Sequence, residues 1–149
     1  MKLMTSYNAM DIARYVITSC YKKGIPVSNL KLQKLLYFIQ GESYKQKGSP
    51  MFVDRIHAWQ FGPVVPDVYY EFCTYAATPI LLEFENNCLN EEDSLIIDKV
   101  IEEKAKLSPW SLVAETHQAG TPWDSVFRQE ANGDVIPEET MRKYFYSRG

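Results

Sequence analysis

The chain of 149 residues has few cysteines and no long hydrophobic run. Its three cysteines, Cys20, Cys73 and Cys88, are scattered without a CxxC pair, which is unlike a disulfide framework and fits a reducing compartment. The N-terminus lacks the apolar core of a signal peptide, and no stretch approaches the roughly 18 apolar residues that a membrane span needs. We therefore expect a cytoplasmic protein without a membrane segment.

A basic surplus is also missing, because the net charge is -3. Nucleic-acid-binding domains usually carry excess positive charge, so a nucleic-acid partner is not expected. The basic and aromatic C-terminal segment, residues 141–148, is the one stretch suited to touching phosphates and bases. Such a segment is more often a terminal helix that docks its aromatic side chains and leaves its charges in water.

Motifs for catalysis and cofactor binding are absent. The chain has only two histidines, His57 and His117, and neither lies in an HExxH motif or near a cysteine pair. Glycine-rich phosphate loops and GxSxG are missing too. We therefore expect no metal, no cofactor and no catalytic residue. The enzyme alternative pairs Cys73 with one of the histidines as nucleophile and base, whereas a free cysteine beside Phe72 more often packs in the core.

Helical periodicity is what the sequence does contain. Asn8 and Asp11 resemble a capping box at the start of a first helix, which Gly24 would end. Ser28 is the predicted N-cap of a second helix, which ends near Gly48. The second helix is apolar around most of its girth, so we place it at the centre of the core.

Later segments alternate between extended and helical patterns. Residues 51–61 are the predicted extended stretch, in which 55–61 are compatible with a short strand or a hairpin. Residues 80–84 are predicted as a second short strand, and residues 91–107 as a helix. Ser108-Pro109 and Thr121-Pro122 each have the N-cap and first-turn proline of a further helix, and Pro137 opens a last one, about 137–147. The prediction is a mainly α, compact single-domain fold over 1–149. It has about six or seven helices and a small two- or three-stranded β element.

The stretch HAWQFGPVVPDVYYEF, residues 57–72, is predicted to be a strand-to-helix corner. Gly62 would permit the turn, Pro63 would end the strand and Pro66 would begin the helix. Prolines leave backbone carbonyls there without local partners, and Gln33 and Gln40 flank the apolar stripe of the second helix. We expect both glutamines to hold the backbone of this corner, residues 61–66.

His117 is predicted to share a half-buried helix face with Trp110, Val113 and Ala114. The commoner role of such a histidine is structural, with a ring nitrogen bonded to a neighbouring backbone carbonyl. The alternative is that its ring contacts a partner in a groove.

Three blocks in the order LKLQKLLYFIQG, HAWQFGPVVPDVYYEF and LSPWSLVAETHQAGTPW carry a family resemblance. Together they resemble the Panacea, or SocA-like antitoxin, domain family of bacteria and prophages, over about residues 8–128. The resemblance implies an antitoxin that binds a cognate toxin protein, encoded by the adjacent gene. It implies no catalytic centre. One relative is also an adaptor that delivers its toxin to a protease, and an adaptor without a toxin partner is the alternative function.

The resemblance also marks partner-binding or family-motif positions, without saying which of them touch the toxin. They are Gln33, Tyr37, Gln40, His57, Trp59, Gly62, Pro63, Pro66, Tyr69, His117 and Trp123. Exposed aromatic side chains of the 57–72 region or of the C-terminal helix are expected to form the binding surface. The oligomeric state stays open.

Overall fold

The computed structural model describes residues 7–85, 89–127 and 133–146. Within these ranges the chain forms seven α-helices, one two-stranded sheet and a short 3₁₀ turn, which confirms the mainly α prediction. The helices are α1 Ala9–Lys23, α2 Asn29–Lys47, α3 Pro66–Glu71, α4 Glu91–Lys104, α5 Pro109–Thr116, α6 Pro122–Phe127 and α7 Glu138–Tyr146. The strands are β1 His57–Trp59 and β2 Gly62–Val64, and the 3₁₀ turn is Cys73–Tyr75.

The ends of the first two helices follow from local capping chemistry. The Ser28 hydroxyl accepts a hydrogen bond from the Lys31 amide at 3.2 Å, which satisfies a free donor of the first turn of α2. Gly24 and Gly48 end α1 and α2 in the left-handed conformation, with φ of 70° and 73°. The predicted start of α2 at Ser28 and the predicted ends of α1 at Gly24 and of α2 near Gly48 are confirmed.

Helix α2 lies at the centre of the core, as its apolar girth predicted. It packs against α1, α4, α5, α7 and strand β2. Because neighbours surround it, polar side chains of α2 are buried along with Leu32, Leu35, Leu36 and Ile39: Asn29, Lys31, Gln33, Lys34, Gln40 and Ser43. Buried polar groups require hydrogen-bond partners, so these side chains fix the segments that cross α2.

Strands β1 and β2 form an antiparallel hairpin in which Ala58 pairs with Pro63 and Trp59 with Gly62. The prediction that Pro63 ends the strand is therefore wrong. The backbone of Ala58 is bonded outward, donating to Asp134 at 2.8 Å and accepting from Gly133 at 2.9 Å. Pro63 thus sits at a position that needs no N–H toward β1, which is where a strand tolerates proline.

The predicted strand at residues 80–84 is also wrong, since this segment is irregular. Two of its amides bond to groups of α1 and of the loop that follows it. The Ile80 amide donates to the Val27 carbonyl at 2.8 Å, and the Phe84 amide donates to the Thr18 hydroxyl at 2.9 Å. Because these amides bond to a loop and to a side chain, they are not paired with a neighbouring strand. No helix in the described part of the chain is long and apolar enough to cross a membrane.

Candidate binding groove

A groove of about 450 Å³ opens between the start of α2, the hairpin turn, α3 with its 3₁₀ extension, and the start of α5. We call it the aromatic groove. Its lining residues are Asn29, Leu30, Gln33, Trp59, Gln60, Phe61, Val64, Tyr69, Cys73, Ala76, Ala77 and Trp110. None of these side chains is charged, so the groove is suited to apolar and aromatic side chains.

The amides on the floor of the groove are already engaged in hydrogen bonds. Gln33 accepts from the Val65 amide at 2.9 Å and donates to the Asn29 side-chain oxygen at 3.0 Å. Asn29 in turn donates to the Tyr69 carbonyl at 3.0 Å. This chain of bonds ties α2 to both ends of the β2–α3 junction, and it confirms the predicted role of Gln33.

Two further side chains hold the hairpin from beneath. The Lys34 Nζ donates to the Pro63 carbonyl at 2.8 Å, and the Trp123 indole N–H donates to the Trp59 carbonyl at 2.7 Å. Gly62 has a φ of 111°, and a Cβ at this position would lie 2.6 Å from the Lys34 Cε. Only glycine therefore permits both the turn and the close approach of Lys34.

Lys34 is fully buried, and burial lowers the pKa of its ammonium to about 7.

His117 lies near Lys34 and stacks on Trp123, with ring centroids 3.7 Å apart. Burial, followed by the charge of Lys34, lowers the pKa of His117. Its Nε2 has no hydrogen-bond partner among the described residues, so the predicted bond from His117 to a backbone carbonyl is wrong. The Trp123 indole covers one face of the His117 ring, and the buried Nε2 edge of that ring bonds to no carbonyl in the described part of the chain.

Large aromatic side chains remain exposed around the groove. Phe61 and Trp110 are 48% and 59% exposed and meet edge to face at 5.5 Å. On the opposite wall Trp59 packs edge to face on Tyr69 at 5.2 Å, and Tyr70 beside them is 61% exposed. The prediction that Trp110 shares a half-buried face with His117 is wrong, because Leu112 and Val113 take the buried face of α5.

A strained backbone lies at the rim of the groove. Ala76 has φ 51° and ψ -126°, a conformation that residues with a Cβ rarely adopt. Such strain persists only where the surrounding structure enforces it, and it clusters at functional sites. The outlier therefore adds an independent reason to treat the groove as the candidate site.

The structure brings together some of the residues singled out in the sequence. Gln33, Trp59 and Tyr69 line the groove, and Pro66 begins α3 beside it. Four others lie behind the groove, in or next to the hairpin. Gly62 and Pro63 are part of strand β2, Trp123 donates to the Trp59 carbonyl of β1, and His117 stacks on Trp123.

Three of the singled-out residues lie away from the groove lining. Tyr37 is buried against Phe145 of α7, with ring centroids 5.4 Å apart. His57 Nδ1 is bonded to the Gly133 carbonyl at 2.7 Å. Gln40 accepts from the amides of residues 51 and 52, so its expected bond to the 61–66 corner is wrong. It lies two helical turns beyond Gln33 and meets the chain where it leaves α2.

Cys73 is exposed and lines the groove, which corrects the expectation of a buried thiol. Phe72 takes the buried position at the end of α3, and Cys73 starts the 3₁₀ turn on the open side. Neither histidine lines the groove. Among the described residues no cluster of His, Cys, Asp and Glu side chains is able to hold a metal ion.

Sequence reasoning did not single out Phe61 within the 57–72 region, placed Trp110 on a half-buried face, and gave Lys34 no structural role. Phe61 and Trp110 are each next to a proline or glycine signal, which predicted the turn and the helix start without predicting exposure. For Lys34 the signal was its position between Leu32 and Leu35 on a helix that is buried all round.

The fold and the groove define a class: a mainly helical protein with an uncharged, aromatic groove beside a hairpin that buried side chains hold by hydrogen bonds. The sequence model of the family "Antitoxin SocA-like, Panacea domain" matches residues 32–124. The chain belongs to this family, as the three blocks predicted. It is 32% identical to Antitoxin SocA of Caulobacter vibrioides (strain NA1000 / CB15N) over 140 residues, covering 86% of this chain and 72% of that protein. No solved structure matches the chain.

Proposed function

We propose that the protein is an antitoxin that neutralises a cognate protein toxin by binding it directly, without covalent chemistry. Family membership supports the antitoxin role. The observation that carries direct binding is the aromatic groove, where Phe61 and Trp110 of the lining stay exposed and Tyr70 is exposed beside Trp59. Large aromatic side chains left in water are enriched at protein interfaces, because they bring contact area with little flexibility.

The toxin is proposed to be the product of the adjacent gene, and the pair to act in the cytoplasm. The test is expression of that neighbouring protein alone and together with this chain. Growth should stop when the neighbour is expressed alone and recover when both are present, and the two proteins should co-purify. A neighbour that is harmless alone, or that stays toxic beside this protein, would show that the proposal is wrong.

Delivery of the toxin to a protease is the alternative mechanism, and the same strains distinguish it. Neutralisation by binding leaves the toxin level unchanged and recovers a stable complex. An adaptor instead lowers the toxin level, and the effect disappears when the host proteases are inactivated one at a time. Immunoblots of the tagged toxin after translation is stopped give the measurement.

A further inference from the structure

We infer that the His117 ring is a proton-sensitive contact between α5 and α6, and that protonating its buried nitrogen releases the Trp123 indole from the Trp59 carbonyl. The inference concerns how the chain itself responds to acid, so it stands apart from the proposed function. Three observations carry it: the stacking of the His117 ring, the burial of its Nε2 atom and the neighbouring Lys34 ammonium.

The His117 ring is the first of three rings stacked behind the hairpin. It lies on the Trp123 indole with centroids 3.7 Å apart and planes 7° apart, and the indole lies on the Phe127 ring at 4.6 Å and 15°. The Trp123 indole N–H donates to the Trp59 carbonyl at 2.7 Å. The two neighbouring rings therefore fix the plane of the indole, and with it the direction of the N–H that reaches β1.

The Nε2 atom of His117 is buried and has no hydrogen-bond partner in the part of the chain that the structure describes. The Lys34 ammonium lies against the same end of α5. A Cβ placed on Gly62 would lie 3.2 Å from the Lys34 Nζ and 2.9 Å from the Oγ1 of Thr116, the residue before His117. A neighbouring positive charge favours a lone pair over an N–H on Nε2, so the neutral ring carries its proton on Nδ1.

Acid must therefore add its proton at the buried nitrogen. The new N–H of His117 would be buried without an acceptor, and below about pH 7 it would also stand near a charged Lys34 ammonium. The Trp123 face attracts an imidazolium, but it offers no acceptor to an N–H that points along the ring plane. The protonated ring avoids both costs when it leaves the stack and turns Nε2 to water.

The charged groups around His117 set the pH of this change. Helix α5 packs against α2, which presents Lys34, against α6, which presents Asp124, and against β2, which has no titratable side chain. On α5 itself Glu115 is paired with Lys104 at 2.7 Å. Burial and then the charge of Lys34 lower the pKa of His117, Asp124 raises it, and the net shift is downward. Because the stacked ring holds a proton less tightly than an exposed one, acid below about pH 6.5 favours the released form.

Release of Trp123 leaves the hairpin on α2. The bonds from Gln33 and Lys34 to the hairpin region do not pass through α6, so the groove keeps its floor. The response to acid is confined to the support behind Trp59, which forms one wall of the groove.

An NMR titration of the purified chain, from about pH 7.5 to about pH 5, tests the inference. The chain has two histidines and three tryptophans, so His57→Gln leaves one imidazole, and Trp123→Phe identifies the Trp123 signal among three indole N–H signals. The Trp123 signal should shift with the midpoint of the His117 ring, below about pH 6.5, and should lose protection from solvent exchange at least about tenfold.

Three variants separate the contributions. His117→Gln has no titrating ring, so its Trp123 signal should stay in place over the whole range. His57→Gln is the matched control and should keep the wild-type transition. Lys34→Met removes the neighbouring positive charge and should raise the midpoint of His117.

The wild-type titration alone is able to overturn the inference. A Trp123 signal that stays in place while His117 titrates would do so, as would a His117 midpoint at or above about pH 6.5. Far-UV circular dichroism should show constant helicity through the transition. Loss of helicity at the same midpoint would show acid unfolding of the whole chain, and the inference would again be wrong.

Discussion

Replacing Lys34 by methionine tests how the hairpin is supported. The Lys34 ammonium is fully buried in α2, and its pKa falls from 10.5 to about 7 because burial removes it from water. In the unfolded chain the same group stays protonated up to about pH 10. Between these values the unfolded state binds more protons than the folded state, so the free energy of unfolding rises with pH.

The size of the effect follows from the two pKa values. From pH 7 to pH 9, Lys34 should add about 2 kcal/mol to the free energy of unfolding, at up to 1.36 kcal/mol for each pH unit. The window ends at pH 9 because burial raises the pKa of Cys20 and of Tyr15, and their ionisation opposes folding at higher pH. It begins at pH 7 because His117, whose pKa is lowered, is then largely neutral in both states.

Urea unfolding followed by tryptophan fluorescence, at pH 7, 8 and 9, gives the measurement. Lys34→Met keeps an unbranched side chain of similar length, so it should fold and lose about 2 kcal/mol of the pH dependence. Lys31, whose pKa burial also lowers, contributes equally to both proteins. Lys45→Met, at an exposed site on the same helix, should keep the wild-type slope. Equal slopes for wild type and Lys34→Met would refute the reasoning.

Three further predictions concern the same region. Gly62→Ala should lower the free energy of unfolding by about 3 kcal/mol, since φ is 111° and the new Cβ would lie 2.6 Å from the side chain beneath it. Gly24→Ala, with open space around it, should cost only about 1 kcal/mol; equal losses in the two variants would contradict the crowding argument. Gln33→Leu should cost about 2 kcal/mol because the buried Val65 amide loses its acceptor, and a melt within 1 °C of wild type would contradict this. Ala76→Gly should raise the free energy of unfolding by about 1 kcal/mol by relieving a φ of 51°, and a lower melting temperature would show that the backbone is unstrained.

Features set by neighbouring residues were predictable from the sequence. Ser28, Gly24 and Gly48 act within one helical turn of their own positions, so their residue types alone predict the helix ends. The same holds for Pro66 at the first turn of α3. The central position of α2 followed from its apolar girth, which no surface helix would show.

Features set by distant partners were not predictable. Pro63 fits inside β2 because residues 133–134 take the backbone bonds of Ala58, and these segments are about 75 residues apart along the chain. Lys34 meets the Pro63 carbonyl across 29 residues. Exposure of Trp110 depends on which face of α5 meets α2, and a short helix with apolar residues on two faces does not decide that.

The family blocks located part of the candidate site and also named residues away from it. Gln33, Trp59 and Tyr69 line the groove, whereas Tyr37 and Gln40 secure α7 and residues 51–52. A sequence motif combines residues that shape a surface with residues that hold the core, and both kinds look alike in one sequence. The contacts separate them.

The two bonds from Gln33 and Lys34 of α2 to the hairpin region have a consequence for hydrogen exchange. The Val65 amide donates to a buried side chain of the central helix, so it is released to solvent only when the hairpin leaves α2. That separation also breaks the bond from Lys34 to the Pro63 carbonyl and exposes buried side chains of α2. The Val65 amide should therefore exchange with the free energy of global unfolding, like the slowest amides of α2 itself. The groove would then have no partly opened form of its own, and it would be lost only together with the whole fold.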